Sequence, residues 1–188
     1  SIRNISSQNN LFLIEDAAQS YYSKYKGQAV GTFGDFGCFS FHETKNIHSG
    51  LGGALTVKSS DHYENLRMIW ERGTDRQNVL KGKADKYTWR IAGGSYYPTE
   101  LQAAFLYEQL NNIEENISRR KEIYDIYYQE LKPVKNKKLI HFPEFFDDYK
   151  SNYHSFYLID SVNKNSDDLR KHLNNCEIDS YIGYIPLH

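Results

Sequence analysis

The chain reads as an α/β protein: part of a large domain built on a parallel sheet, a long connector helix, and the beginning of a small α/β domain. Three features carry that reading. Leu11 to Ile14, residues 36–41 and Ala54 to Val57 are short apolar runs, and a continuous run of strand length marks a strand covered on both faces in a parallel sheet. Leu106, Leu110, Ile113, Ile117, Tyr124, Tyr127 and Leu131 recur in alternating four- and three-residue steps, with Arg120 as the polar interruption; that is the period of an amphipathic helix. Beyond Pro133 the pattern returns to strand-like runs around one short helix. The expected division is 1–132 for the partial large domain with its connector, and 133–188 for the partial small domain.

In order along the chain, Ile2 and Ile5 suggest the tail of an amphipathic helix closed by Asn9-Asn10. The Leu11–Ile14 run ends in Glu15-Asp16, and the carboxyl ends of strands are where open α/β sheets bind ligands. Residues 17–30 read as a loop or short turn of helix. Two more strands are expected at 36–41 and 54–57, separated by a turn containing Gly50, Gly52 and Gly53. Asp61 and Glu64 have the spacing of a capping box, before a helix carrying Leu66, Ile69 and Trp70 that stops at Gly73. Residues 74–98 lack a period and contain Gly82, Gly93, Gly94 and Pro98, so they predict a long loop, which in a compact domain is usually functional or disordered. Thr99 and Gln102 predict a second capping box that opens the long helix. A helix of about thirty residues spans about 45 Å at ~1.5 Å per residue, with Pro133 as its expected end. Phe156 to Ile159 and Ile178 to Ile182 read as strands around a helix capped by Ser166.

Composition narrows the function classes. The 188 residues are 39% hydrophobic and 25% charged, enough apolar material for a core in a soluble protein. Twenty-three basic against 24 acidic residues leave a formal charge of −1, with no basic stripe for nucleic acid. No apolar run reaches the ~20 residues of a membrane span, and no signal-peptide pattern opens the chain. Cys38 and Cys176 stand far apart, as free thiols in a reducing compartment do, and no metal-ligand pairing is present. A cytoplasmic location is expected. Sixteen tyrosines and ten phenylalanines are chiefly core material, with pockets and subunit contacts as secondary uses.

The chemistry concentrates at Phe39-Ser40-Phe41-His42-Glu43-Thr44-Lys45-Asn46. Most lysines are solvated surface charges. One placed between a strand and a glycine turn can instead be partly desolvated, which favours the neutral amine that attacks a carbonyl. Asp16, by itself an ordinary turn former, supplies the matching carboxylate that could hold a pyridine nitrogen protonated.

The blocks Glu15 to Ser20 (EDAAQS), Gly31-Thr32-Phe33-Gly34-Asp35, Ser40 to Asn46, Leu101-Gln102-Ala103-Ala104 and Tyr184-Ile185-Pro186-Leu187-His188 together resemble the DegT/DnrJ/StrS-type sugar aminotransferases, which are pyridoxal 5'-phosphate enzymes of fold type I. Phe41 to Asn46 and Asp85 to Arg90 look most like the branch that aminates TDP-4-keto-6-deoxy-D-glucose. The resemblance implies the following roles. Lys45 forms the Schiff base and shuttles the proton, Asp16 pairs with the pyridinium, Gln19 contacts the ring-side oxygen, and Ser40 binds the phosphate. Ser95 stands where relatives place an asparagine that reaches the neighbouring subunit's phosphate, and Tyr184 and His188 approach the sugar. It also implies glutamate as amino donor, amination at carbon 4 of a TDP-linked keto-deoxysugar, and a homodimer of the full-length enzyme. His42 is equally plausible as a pocket residue or as packing.

Two departures stand out: Leu51 occupies a glycine-turn position that is acidic in relatives, and Ser95 replaces the asparagine. Family members are also much longer, so the chain is expected to be a fragment without the whole phosphate cradle. The alternative reading is a truncated, non-catalytic remnant or split-gene piece. The dehydrase branch, which carries histidine in place of the lysine, is disfavoured by Lys45. A bare nucleotide-binding module lacks its glycine-rich fingerprint.

Overall fold

The computed structural model of the chain describes residues 1–162 and 166–183. The first helix, α1 (Ile2–Gln8), is capped by the Ser1 hydroxyl, which accepts from the Asn4 N–H. Strand β1 (Ile14–Asp16) follows, then a small hairpin of β2 (Lys24–Tyr25) and β3 (Gln28–Ala29). Lys26 and Gly27 make its turn with φ of +50° and +80°, the paired positive values of a type I′ turn. The expected loop or short turn of helix over 17–30 is in part this hairpin, whose tight turn is set by Lys26-Gly27. Strands β4 (Phe36–Ser40) and β5 (Gly53–Val57) fall where the apolar runs predict them.

The main sheet has the order β1-β4-β5, with β1 and β4 parallel and β4 and β5 antiparallel. It is therefore mixed, not wholly parallel. Its first strand also starts later than the Leu11–Ile14 run. The Leu13 N–H bonds to the Asp35 carboxylate at 2.8 Å and the Leu13 carbonyl accepts from the Asp35 N–H, so ladder pairing begins only at Ile14 opposite Phe36. Among the described residues β1 pairs with β4 alone, and Leu11, Phe12 and Ile14 stay exposed, against the expectation of burial on both faces. Gly31 is needed beside this sheet. Its φ is +88°, and a Cβ there would lie 2.4 Å from the Phe39 ring.

A 3₁₀ turn at Ser60–His62 is capped by Ser59 and leads into α2 (Tyr63–Trp70), whose N-cap makes no side-chain bond. The Asp61–Glu64 capping box does not form, because Ser59 takes the Asp61 N–H first. Gly73, at φ +74°, turns the chain after α2; a Cβ there would fall 1.8 Å from the Ile91 carbonyl oxygen. The aperiodic stretch is ordered. It holds α3 (Arg76–Leu80) and single bridges between Glu71 and Ser95 and between Thr74 and Trp89.

The Thr99–Gln102 capping box is present at the head of α4 (Glu100–Asn111). The expected single long helix is two, because α5 (Ile113–Asn136) begins after a break at Asn112. The Asn112 side-chain amide donates to the Glu108 carbonyl at 2.9 Å, the local competition with helix bonding to which asparagine is prone. Pro133 does not end α5. Its carbonyl still accepts from the Lys137 N–H, so only the bond from its missing N–H is lost in the last turn.

After α5 come β6 (Ile140–His141), β7 (Tyr149–Lys150), β8 (Ile159–Asp160) and α6 (Ser166–Asn175). Strand β6 pairs with β8. Strand β7 reaches back to the edge of the hairpin, placing Lys150 opposite Lys24 and giving the sheet order β3-β2-β7. The expected strand over Phe156–Ile159 is reduced to β8, because Phe156 turns inward against Tyr124. No strand forms at Ile178–Ile182; the Ile178 N–H instead closes α6 on the Leu173 carbonyl.

The aromatic load explains the core. Tyr124, Phe142 and Ile117 are buried, and the Tyr124 ring lies 4.9–5.3 Å from Phe145, Tyr153 and Phe156. Burial pushes the Tyr124 phenol up to about 12, and its hydroxyl donates to the Pro143 carbonyl. A second apolar group, Ala17, Phe41 and Ile47, lies around the turn that carries Lys45. No helix among the described residues is long and apolar enough to cross a membrane.

Candidate active site

Parallel pairing of β1 with β4 places Asp16 opposite Cys38, so Asp16 and Ser40 leave the sheet at the same carboxyl edge. Glu15 and Asp16 then divide the work. Glu15 turns toward the following loop, where its two oxygens accept from the N–H groups of Gly31, Phe33 and Gly34 at 2.9, 2.5 and 2.7 Å. That is a framework role which sequence reading gave to no residue. Asp16 is exposed and accepts from the Ala18 N–H through Oδ1 at 3.1 Å. Its other oxygen accepts no hydrogen bond from the described residues.

Lys45 sits in the connection between β4 and β5, half-buried. This connection is closed at its base, with Phe41 N–H on the Gly52 carbonyl, Ser49 N–H on the Phe41 carbonyl and Glu43 N–H on the Gly50 carbonyl. The Lys45 N–H donates to the His42 carbonyl at 2.9 Å. The ring of His42 bonds locally to Thr44, a turn-forming use. Ser40 Oγ accepts from the His42 N–H at 3.3 Å. Gln109 of α4 grips His48 on both sides, accepting from its N–H at 3.2 Å and donating to its carbonyl at 2.6 Å. Leu51 keeps its side chain in solvent, while its carbonyl accepts from Ser49 and Gln102. The departure from the family pattern thus lies at an exposed position whose backbone is held.

Sequence reading did not find the group that joins these pieces. Asn46, next to Lys45, and Asn152 are 7% and 5% exposed. The Asn152 amide donates to the carbonyls of Gln19 and Tyr21 at 2.8 and 2.9 Å, its own carbonyl accepts from the Asn46 amide at 2.7 Å, and its Oδ1 accepts from the His154 N–H. His154 Nδ1 lies 2.8 Å from Asn46 Oδ1. Asn116 of α5 donates to the Asn46 carbonyl and accepts from Arg120. One asparagine thereby ties the Gln19 loop to the Lys45 turn. Burial, and then the charges of Lys45 and Arg120, hold His154 below its ordinary value. The signal was an unremarkable Ser151-Asn152-Tyr153-His154, which has no periodicity to notice.

The structure therefore gathers Asp16, Gln19, Ser40 and Lys45 at one edge of the sheet. Ser95, expected to face a neighbouring subunit rather than this chain's own site, is exposed and bridged to Glu71. Tyr184 and His188 lie outside the described residues.

The gathered set suits pyridoxal phosphate by the chemistry of its donors. A primary amine stands in a braced turn after β4, an aspartate with an oxygen that accepts from no described residue ends β1, and the same two segments carry a serine hydroxyl and a glutamine amide.

Comparison with known proteins agrees. Residues 1–188 match the model of the DegT/DnrJ/EryC1/StrS aminotransferase family. The chain is 30% identical to the GDP-perosamine synthase of Escherichia coli O157:H7, over 98% of this chain and 47% of that protein. Its structure resembles the aminotransferase TlmJ from Streptoalloteichus hindustanus with a TM-score of 0.86 at 25% identity, covering 100% of this chain and 48% of that one. It shares the fold of the PLP form of Spr1654 from Streptococcus pneumoniae, with a TM-score of 0.82 at 23% identity over 97% of this chain and 46% of that one. The chain spans about half the length of the curated relatives it matches.

Proposed function

The chain belongs to the DegT/DnrJ/EryC1/StrS aminotransferase family, and on that premise we propose that it carries the reactive lysine of a cytoplasmic, homodimeric nucleotide-sugar aminotransferase. The observation that carries the proposal is the sheet edge where Asp16, Gln19, Ser40 and the braced Lys45 turn meet.

Bound there, pyridoxal phosphate supplies an aldehyde to carry the amino group and a ring that takes up electrons. Lys45 offers the amine, which must lose its proton before it can act as a nucleophile and can afterwards hold and return a proton at Nζ. The spare Asp16 oxygen is an acceptor for a ring N–H, and a carboxylate in that place keeps such a nitrogen charged. Ser40 and Gln19 offer a hydroxyl and an amide to the phosphate and ring-side oxygen. Glutamate is the proposed amino donor, and the acceptor is carbon 4 of a nucleotide-linked 4-keto-6-deoxyhexose.

TDP is the carrier that the resemblance of residues 41–46 and 85–90 favours. GDP is the competing carrier, favoured by the relative from E. coli.

The test uses protein expressed from the complete reading frame that encodes the chain. Borohydride reduction after incubation with pyridoxal phosphate is expected to add the cofactor's mass to the Lys45 peptide, and Lys45→Ala to abolish that addition. Glutamate with TDP- and GDP-linked 4-keto-6-deoxyhexoses, offered separately, then identifies the carrier. Trapping at another lysine, or none at Lys45, would overturn the reading and favour a non-catalytic remnant.

A further inference from the structure

His154 lies in no strand or helix, yet the backbone before it adopts a costly shape to present it. Tyr153 has φ of +52°, a left-handed conformation that non-glycine residues enter only when their surroundings impose it. The result is that Asn152 and His154, on either side of that residue, both reach Asn46.

The hydrogen-bond pattern fixes the chemistry of the contact. The Asn46 amide nitrogen donates to the Asn152 carbonyl, so its oxygen faces His154, and Nδ1 of the imidazole must be the protonated nitrogen. Asn46 is then held through both side-chain atoms, and through its main-chain carbonyl by Asn116. It is the residue bonded directly to Lys45.

We propose that His154 is a positioning residue for Lys45: its Nδ1–H fixes Asn46 and so couples residues 151–154, which follow the long helices, to the lysine turn. This rests on the reading of Lys45 as the reactive amine. Without His154, the Asn46 oxygen loses a donor in a place water reaches poorly, and the turn has one less restraint on the face where Lys45 emerges.

The experiment reads the lysine itself, in cofactor-free protein from the complete reading frame. Competitive acetylation by acetic anhydride, quantified on the Lys45 peptide, reports how freely the amine is presented. His154→Phe keeps a ring but no donor, and is expected to raise the Lys45 labelling rate about tenfold, the scale of losing one buried hydrogen bond. His154→Asn places an amide N–H near the position of Nδ1 and is expected to return the rate to within about twofold of wild type. Ser59→Ala, which removes the cap of the 3₁₀ turn beyond the end of β5 opposite the Lys45 connection, controls for general destabilisation and should leave Lys45 labelling unchanged.

Equal labelling in wild type and His154→Phe would overturn the proposal, as would failure of His154→Asn to restore it. Failure of the aminotransferase reading is distinguishable, since it shows as absent borohydride trapping on Lys45 in the wild type, whatever the acetylation rates.

Discussion

The Lys45 turn and the 74–98 loop are both long irregular segments that glycines punctuate, and they are held in opposite ways. Around Lys45 the fasteners are neutral amides from distant parts of the chain: Asn152 reaches Asn46 across 106 residues and Gln19 across 133. The 74–98 loop fastens itself with charge. Asp75 accepts from the Thr88 N–H and from Arg90 across 13 and 15 residues, and Glu71 takes Gln77 only six residues away. One region is ordered by the whole fold, the other by its own sequence. The turn should therefore report on global integrity, whereas the loop can loosen alone.

The largest expected effect comes from breaking the long-range fastener. Asn152→Ala strands the Gln19 and Tyr21 carbonyls and removes an acceptor for His154 in a buried place, which is expected to cost about 3 kcal/mol. Denaturant unfolding of the variant should show that loss as a shift of the whole transition. An unchanged midpoint would mean that the amide network is ornamental.

A smaller and local effect is expected of Asp75→Ala. Amides of residues 74–90 should exchange faster by hydrogen-exchange mass spectrometry, while those of residues 41–52 keep their protection. Coupled loosening of both would show that the two segments are held as one unit.

Acid should separate the regions more gently, by order. His154 is held below its ordinary 6.5 by burial and by Lys45 and Arg120. The unfolded state then binds the extra proton first, and stability that is complete above pH 6.5 erodes as pH falls toward the lowered folded value. Asp75 is held below its ordinary 3.8, first by the Thr88 N–H and then by Arg90. Its contribution persists until pH falls below 3.8 and is lost through the folded value. Protection corrected for intrinsic rates should thus weaken at the Lys45 turn between pH 7 and 5 before it weakens at residues 74–90. The reverse order would contradict both assignments.

The same contrast explains what the sequence disclosed. The Thr99–Gln102 cap, β4 and β5 depend on residues a few positions apart, and each was legible. Asp16 and Lys45 each stand in a short block that carries the family resemblance. The helix break at Asn112 was not legible, because the four- and three-residue rhythm runs through it and only a side chain bonding its own helix interrupts. The Leu11–Ile14 run looked like a buried strand, but an apolar run does not say which neighbour will cover it, and Asp35 claims the Leu13 backbone. Asn46, Asn152 and His154 were illegible for a stronger reason. Asparagine has no preferred sequence rhythm, and its meaning here lies wholly in partners more than a hundred residues away.

The pairing of β7 with β2 has a kinetic side. Closing a contact between residues 24 and 150 requires the intervening chain to be ordered or confined, since loop closure must be met before such a contact is rewarded. Helices α4 and α5 can form from local bonds early, and the β2–β7 clasp with Asn152 beside it can close only afterwards. The lysine turn would then be among the last parts of the chain to become native. During synthesis it must wait until residue 152 has emerged before its side-chain brace can exist, so for most of that time Lys45 is an ordinary flexible lysine.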